Sequence, residues 1–118
     1  MFEVIYFVDN NGIAPVKEYI DILSAKSKTN KDIRIQFNKI GSYINILEKS
    51  GTRVGEPIVK HLRDDIWELR PLQHRFLFAW SKTYKVFVLL HHFIKETSKT
   101  PPNEIKKAEK NFEIFKSR

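Results

Sequence analysis

Hydrophobic spacing divides the chain into a helical first half and a strand-rich second half. The run FEVIYFV, residues 2–8, is dense in aromatic and β-branched residues and ends at DNNG, which predicts an opening strand and a turn. Apolar residues then recur every three or four positions over residues 14–26 and again over about residues 31–50, and each stretch predicts an amphipathic helix. Pro15 suits the start of the first helix, and Gly51 suits the end of the second. The first half therefore predicts a strand followed by a helical hairpin.

Three short runs rich in Trp, Phe, Val, Ile and Leu follow, namely IWELR, HRFLFAW and KVFVLLHHF. The connections between them are short enough for antiparallel hairpins. After a double proline, Ile105, Ala108 and Phe112 share one helical face, and Thr100 is a candidate N-cap. We therefore expect one small α+β domain over residues 1–118, in which the N-terminal strand and helical hairpin pack on a twisted, mainly antiparallel sheet of about four strands, with a short C-terminal helix. The other face of the sheet is expected to be partly open to water.

The net charge of +7 is concentrated in the second half of the chain. Residues 59–118 hold thirteen Lys and Arg against seven Asp and Glu, whereas residues 1–58 hold eight against seven. All four histidines also lie in the second half. A basic surface of this kind attracts polyanions and acidic protein partners through long-range fields. The alternative is a charge excess that only keeps the protein in solution.

The absence of cysteine excludes disulfides, a thiolate nucleophile and a cysteine-rich zinc site, and it indicates a reducing compartment. The N-terminus has no signal-peptide pattern, and the longest apolar run, VFVLL, is far too short to span a bilayer. We therefore expect a cytoplasmic protein with no membrane partner.

Two arginines lie where they could hold a phosphate group. Arg70 and Arg75 flank the turn between the first two strands of the second half, and alternation predicts that both project from the open face. Two guanidiniums with a lysine such as Lys95 would match the oxygens of a phosphate. The alternative is that Arg70 pairs with Glu68 or Asp65 on a solvated face.

The sequence contains none of the standard catalytic motifs. There is no nucleophile elbow and no glycine-rich phosphate loop, and the pair His91 and His92 lacks the spacing of a helical zinc site. The adjacent Asp64 and Asp65 suit a turn better than a magnesium site. Any catalysis would therefore be cationic and would use neither a metal nor another cofactor. Cleavage of RNA permits this, because its 2′-hydroxyl is an internal nucleophile, and Lys95 with His92 would transfer the protons.

Strict alternation along the last strand sends its two histidines to opposite faces. His92 falls on the side of Val88 and Leu90, and His91 falls on the side of Phe87. The pattern does not decide which histidine is solvated, and a structural role for His92 is the alternative to a catalytic one.

The runs IWELRP, HRFLFAW and VFVLLHHFIKETSKTPPNEIKKAEK together resemble the RelE/ParE toxin superfamily, specifically its HigB-like, phage-derived branch. The resemblance covers about residues 58–110 and implies a RelE-like fold. It also implies the toxin of a type II toxin-antitoxin pair, an mRNA endonuclease that acts on translating ribosomes, inhibits translation and arrests growth. The implied partner is a helix-turn-helix antitoxin of the HigA kind, in a complex that forms a higher oligomer.

The resemblance transfers the basic strand residues of the family to Arg70 and Arg75 and its first motif lysine to Lys95. The second motif lysine is replaced here by Glu96, whereas Lys99 matches a Lys-Thr-Pro portion of the motif. The full set of RNA-binding candidates is Lys60, His61, Lys82 and Lys99. Two other functions remain open: a ParE-like toxin that binds DNA gyrase without catalysis, and a nucleic-acid-binding domain without toxicity.

Overall fold

A five-stranded sheet lies between a helical hairpin and a C-terminal helix in the computed structural model, which describes residues 1–118. The elements in chain order are β1 (Glu3–Tyr6), α1 (Pro15–Ser27), α2 (Lys31–Ser50), a 3₁₀ turn (Gly51–Val54), β2 (Val59–Arg63), β3 (Ile66–Leu69), β4 (His74–Ser81), β5 (Val86–Ile94) and α3 (Pro102–Lys116). The predicted α+β class, with its N-terminal strand, helical hairpin and C-terminal helix, is confirmed. None of the helices is both long enough and apolar enough to cross a membrane.

The strand order in the sheet is β1-β5-β4-β3-β2. The three contacts among β2, β3, β4 and β5 are antiparallel, and β1 joins β5 in parallel. The sheet has one strand more than expected, because VKHLR forms β2 at its edge. This strand has only one fully buried side chain, Val59, so its apolar pattern is too weak to predict a strand from the sequence. Asp64 and Asp65 form the turn between β2 and β3, as the sequence indicated.

The helical hairpin covers one face of the sheet. Pro15 begins α1, and the Asn30 side chain caps α2 by accepting a hydrogen bond from the Ile33 N–H at 3.0 Å. The apolar side chains buried between the hairpin and the sheet are Val16, Leu23, Ile40, Leu47, Val59, Leu69, Phe76, Phe78, Phe87 and Leu89.

Helix α3 covers the face that the sequence left open. Ile105, Ala108 and Phe112 lie in a second buried cluster with the side chains that β3, β4 and β5 direct to that side, and the expectation of a water-exposed face is therefore wrong for most of the sheet. The α3 N-cap position is Pro101, which provides no side-chain cap. The expected cap, Thr100, donates its hydroxyl hydrogen bond to Glu68 instead.

A β-bulge changes the phase of side chains along β5. Phe78 pairs with Leu89 whereas Leu77 pairs with His91, so that Leu90 is an extra residue in the ladder. A one-residue slip exchanges the two faces of a strand for all residues beyond it. The alternation prediction is therefore wrong beyond Leu90: His91 lies on the α3 side, and His92 lies on the hairpin side.

Candidate anion-binding site

A small pocket forms where the ends of β3, β4 and β5 meet the segment that leads into α3. Five cations and two carboxylates line it, which gives a net charge of +3. Such a lining attracts anions, and its guanidiniums match phosphate oxygens. The charged residues of the pocket are Lys60, Glu68, Arg70, Arg75, Lys95, Glu96 and Lys99.

Arg75 is held firmly by the backbone of the turn that precedes it. Its Nη1 donates to the Leu72 carbonyl at 2.7 Å and to the His74 carbonyl at 2.8 Å, and the residue is only 6 % exposed. Burial lowers the pKa of this guanidinium, an effect that the neighbouring Glu68 opposes and that Arg70 reinforces. Arginine nevertheless stays charged in proteins. The Arg75 side chain is therefore a fixed positive charge with its Nη2 group uncommitted.

Arg70 has more donors available than Arg75. Its Nη1 lies 3.5 Å from Glu56, an exposed carboxylate, and its Nε lies 3.4 Å from Glu68 without the geometry of a hydrogen bond. That Nε is buried and has no acceptor. The Arg70 side chain is 21 % exposed, against 7 % for Arg75, so Arg70 is the guanidinium that an anion from solvent reaches more easily.

The exposed segment that carries Lys95 and Lys99 closes the pocket on its outer side. The Lys95 N–H donates to the Gln73 carbonyl at 2.8 Å, which fixes the start of this segment beside the turn between β3 and β4. Thr97 donates to the Lys99 carbonyl at 2.8 Å and keeps the segment compact. The pocket leaves only about 20 Å³ for the centre of a water molecule, so a phosphate group would lie at its mouth rather than inside it.

The model of the phage-derived Gp49-like protein family matches residues 18–113, which include every residue of the pocket. The chain belongs to this family. The Gp49-like family is a RelE/HigB-type toxin family of toxin-antitoxin systems, and such a toxin has an antitoxin as its partner. The predicted toxin family is thereby confirmed, whereas its HigB-like branch stays a prediction. No curated protein matches the chain.

In this Gp49-like protein, five of the site candidates from the sequence share the pocket: Arg70, Arg75, Lys95, Lys99 and Lys60. Lys60 joins the others because it is the cross-strand partner of Glu68. Two further candidates lie elsewhere. His61 contacts the ring of Trp67 at 5.0 Å and bonds the Asp64 carbonyl, on the hairpin side of β2. Lys82 lies beyond the far end of β4, about 23 Å from Arg75 at the usual rise per residue of a strand.

His92 of this Gp49-like protein does not reach the pocket. Its ring stacks on Tyr19 at 3.8 Å between centroids, and its Nε2 lies 3.1 Å from Nδ1 of His74. His74 in turn contacts Gln36 of α2 at 2.8 Å. Burial lowers the pKa of His92 to about 3, with smaller contributions from His74 and His91. The sheet separates this neutral imidazole from the pocket, so the expected partnership of His92 with Lys95 is not formed.

Glu68 and Thr100 are the pocket residues that the sequence reasoning missed as functional candidates. Glu68 is 2 % exposed and its carboxylate lies between the two arginines. A charged residue in a run as apolar as IWELRP was the available signal, because carboxylates are almost never fully buried unless they are paired. No three His, Asp or Glu side chains come together in an arrangement that would hold a metal ion.

Proposed function

We propose that this Gp49-like toxin cleaves mRNA and that the pocket binds the phosphate at which cleavage occurs. The observation that supports this most directly is the convergence of two guanidiniums and three lysines on one small pocket with a net charge of +3. Arg70, whose side chain is 21 % exposed, adds a guanidinium that a phosphate at the mouth of the pocket can reach.

In the proposed reaction the 2′-oxygen of one nucleotide attacks the adjacent phosphorus. The new bond joins that oxygen to phosphorus, and the bond to the 5′-oxygen breaks, so that the products end in a 2′,3′-cyclic phosphate and a 5′-hydroxyl. Arg70 and Arg75 stabilise the charge that develops on the phosphorane oxygens. Lys95 gives a proton to the leaving 5′-oxygen, and the Glu96 carboxylate accepts the proton of the 2′-hydroxyl. His92 takes no part, because it packs on the other face of the sheet.

The lining also supports two finer parts of the proposal. Five cations supply the charge stabilisation that a metal ion supplies in other nucleases, so we propose that cleavage persists in a chelator. Phe93 is the single hydrophobic residue of the lining, so the pocket offers phosphate contacts but little surface on which bases could stack. We therefore propose that the ribosome positions the mRNA.

The antitoxin is proposed to be a HigA-like helix-turn-helix protein encoded beside this chain, in a complex that forms a higher oligomer in the cytoplasm. Co-expression of the neighbouring reading frame should restore growth if this proposal is correct.

The test is brief induction in cells, followed by growth measurement and primer extension on cellular transcripts. Wild type should arrest growth and leave discrete new 5′ ends, whereas Arg70→Ala and Lys95→Ala should each reduce cleavage by about 100-fold through lost stabilisation of the transition state. Lys39→Ala is the matched control, because it removes an exposed cation from α2 on the opposite side of the sheet. Wild-type cleavage by both pocket variants would contradict the proposed site.

Two other outcomes would replace the proposal with one of the alternatives. Growth arrest without new 5′ ends would favour a ParE-like toxin that binds DNA gyrase. Salt-sensitive binding to RNA without growth arrest would favour a nucleic-acid-binding domain without toxicity.

A further inference from the structure

Glu68 is the one residue that contacts all three parts of the pocket. Its Oε1 lies 3.4 Å from Nε of Arg70 and 3.8 Å from Nε of Arg75, and its Oε2 accepts a hydrogen bond from Thr100 at 2.5 Å. The side chain is 2 % exposed. A single buried carboxylate therefore links the end of β3, the start of β4 and the segment that carries Lys95.

Anion affinity alone does not explain a carboxylate at this position. Glu68 lowers the positive charge of the pocket and competes with any anion for the same two guanidiniums. Nor is it required to hold Arg75 in the turn, because two backbone carbonyls already accept from that side chain. Glu68 faces the Nε edge of both guanidiniums, and neither Nη2 group has a hydrogen-bond partner within the protein.

We propose that Glu68 is a positioning residue, which orients Arg70 and Arg75 for the transition state and, through Thr100, fixes the segment that bears Lys95 above them. This inference rests on the proposed function. The Glu68 carboxylate thereby weakens binding of the RNA and improves its cleavage.

Glu68→Gln separates these two effects, because it keeps the shape of the side chain and removes the charge. The binding probe is a short single-stranded RNA with 2′-O-methyl groups, which binds but cannot be cleaved. We expect Glu68→Gln to bind this probe as tightly as wild type or up to about tenfold more tightly, since the net charge of the pocket rises by one. Cleavage of transcripts in a translation reaction should nevertheless slow by about 10- to 100-fold, because the guanidiniums are no longer aligned.

Glu113→Gln is the matched control, because it removes one negative charge from an exposed position on α3. It should leave both binding and cleavage at the wild-type level. Thermal unfolding of each variant reports how much of the protein is folded.

The Thr100 hydroxyl provides a second, milder test if Glu68→Gln folds poorly. Thr100→Val removes the hydrogen bond to Glu68 and should slow cleavage with little change in probe binding. Thr100→Ser keeps the hydroxyl and should restore the rate.

Three results would overturn the inference. The first is cleavage by folded Glu68→Gln within about twofold of wild type, against the expected slowing of about 10- to 100-fold. The second is a loss of binding and cleavage in equal proportion, which indicates a purely structural role. The third is equal rates for Thr100→Val and Thr100→Ser. If wild type itself cleaves no transcript, the proposed function fails and this inference fails with it, whereas failure in the variants alone removes only the positioning role.

Discussion

Acid should destabilise this protein because a neutral histidine is enclosed between the helical hairpin and the sheet. Tyr19 of α1 stacks on His92, and His74 of β4 contacts both His92 and Gln36 of α2. Burial holds the pKa of His92 at about 3 in the folded protein, against 6.5 for an unperturbed histidine. The unfolded chain therefore binds a proton at pH 5 that the folded protein excludes, so stability present above pH 6.5 is lost as the pH falls.

The magnitude follows from the two pKa values of His92. Between pH 7 and pH 5 the free energy of unfolding should fall by about 2 kcal/mol through this residue alone. This fall in the free energy of unfolding depends mainly on the pKa of His92 in the unfolded chain, because the folded protein keeps His92 unprotonated throughout this pH range. Burial also lowers the pKa of His74, with Arg75 adding to the effect, so His74 contributes a loss of the same sign.

Urea denaturation at pH 7 and pH 5 measures this effect. His92→Phe keeps an aromatic ring against Tyr19 and Phe76 but cannot take up a proton. Its loss of stability between the two pH values should be smaller than that of wild type by about 2 kcal/mol. His61→Gln, at an exposed site on β2, is the control and should behave as wild type. Equal acid sensitivity of wild type and His92→Phe would refute the reasoning.

Two further predictions concern the free energy of unfolding in urea. Gly51→Ala should destabilise the protein by about 1–3 kcal/mol, because Gly51 has φ +61° and a Cβ there would lie 2.9 Å from the Phe2 ring. Gly41→Ala, in an open part of α2, is the control and should stabilise the protein by about 0.5–1 kcal/mol, and a Gly51→Ala variant as stable as wild type would contradict the prediction. Arg75→Met should lower the free energy of unfolding by about 2–4 kcal/mol, because two turn carbonyls and Glu68 lose a buried partner. Arg70→Met should lower it by only about 1 kcal/mol, and equal losses for the two variants would show that the turn does not depend on Arg75.

The order of helices and of the long strands could be predicted from the sequence because each has a strong hydrophobic period. Strand β2 was not predicted, because an edge strand with a single fully buried residue, Val59, shows almost no alternation of apolar and polar side chains. The role of α3 as a cover was missed for a different reason. By alternation Leu77 and Ala79 share the side of Arg75, which was expected to be open, but these apolar side chains are buried in one cluster with Ile105 and Ala108 of α3.

The candidate site was predicted in part. Arg70 and Arg75 could be placed together because a tight turn joins their strands, and the geometry of such turns is regular. The positions of His92 and Lys95 could not be read from alternation, since a bulge depends on how two strands pair and not on either sequence alone. Glu68 was considered only as a partner of Arg70 on a solvated face, and its burial follows from α3 and Thr100, which are distant in the sequence.

The bulge at Leu90 also divides β5 into a part that packs in the cores and a part that leads to the pocket. Upstream of it, Val86 to Leu89 pack into the two cores, and downstream of it Phe93 and, just past the end of the strand, Lys95 line the pocket. If Leu90 instead paired with Leu77, the ladder would have no bulge, and the slip by one residue would carry Lys95 to the hairpin side and His92 to the side of the arginines. The register of β5 against β4, and not only the residue types of β5, therefore decides which side chains can meet an anion, so that a slip by one residue here should change function more abruptly than a single substitution does.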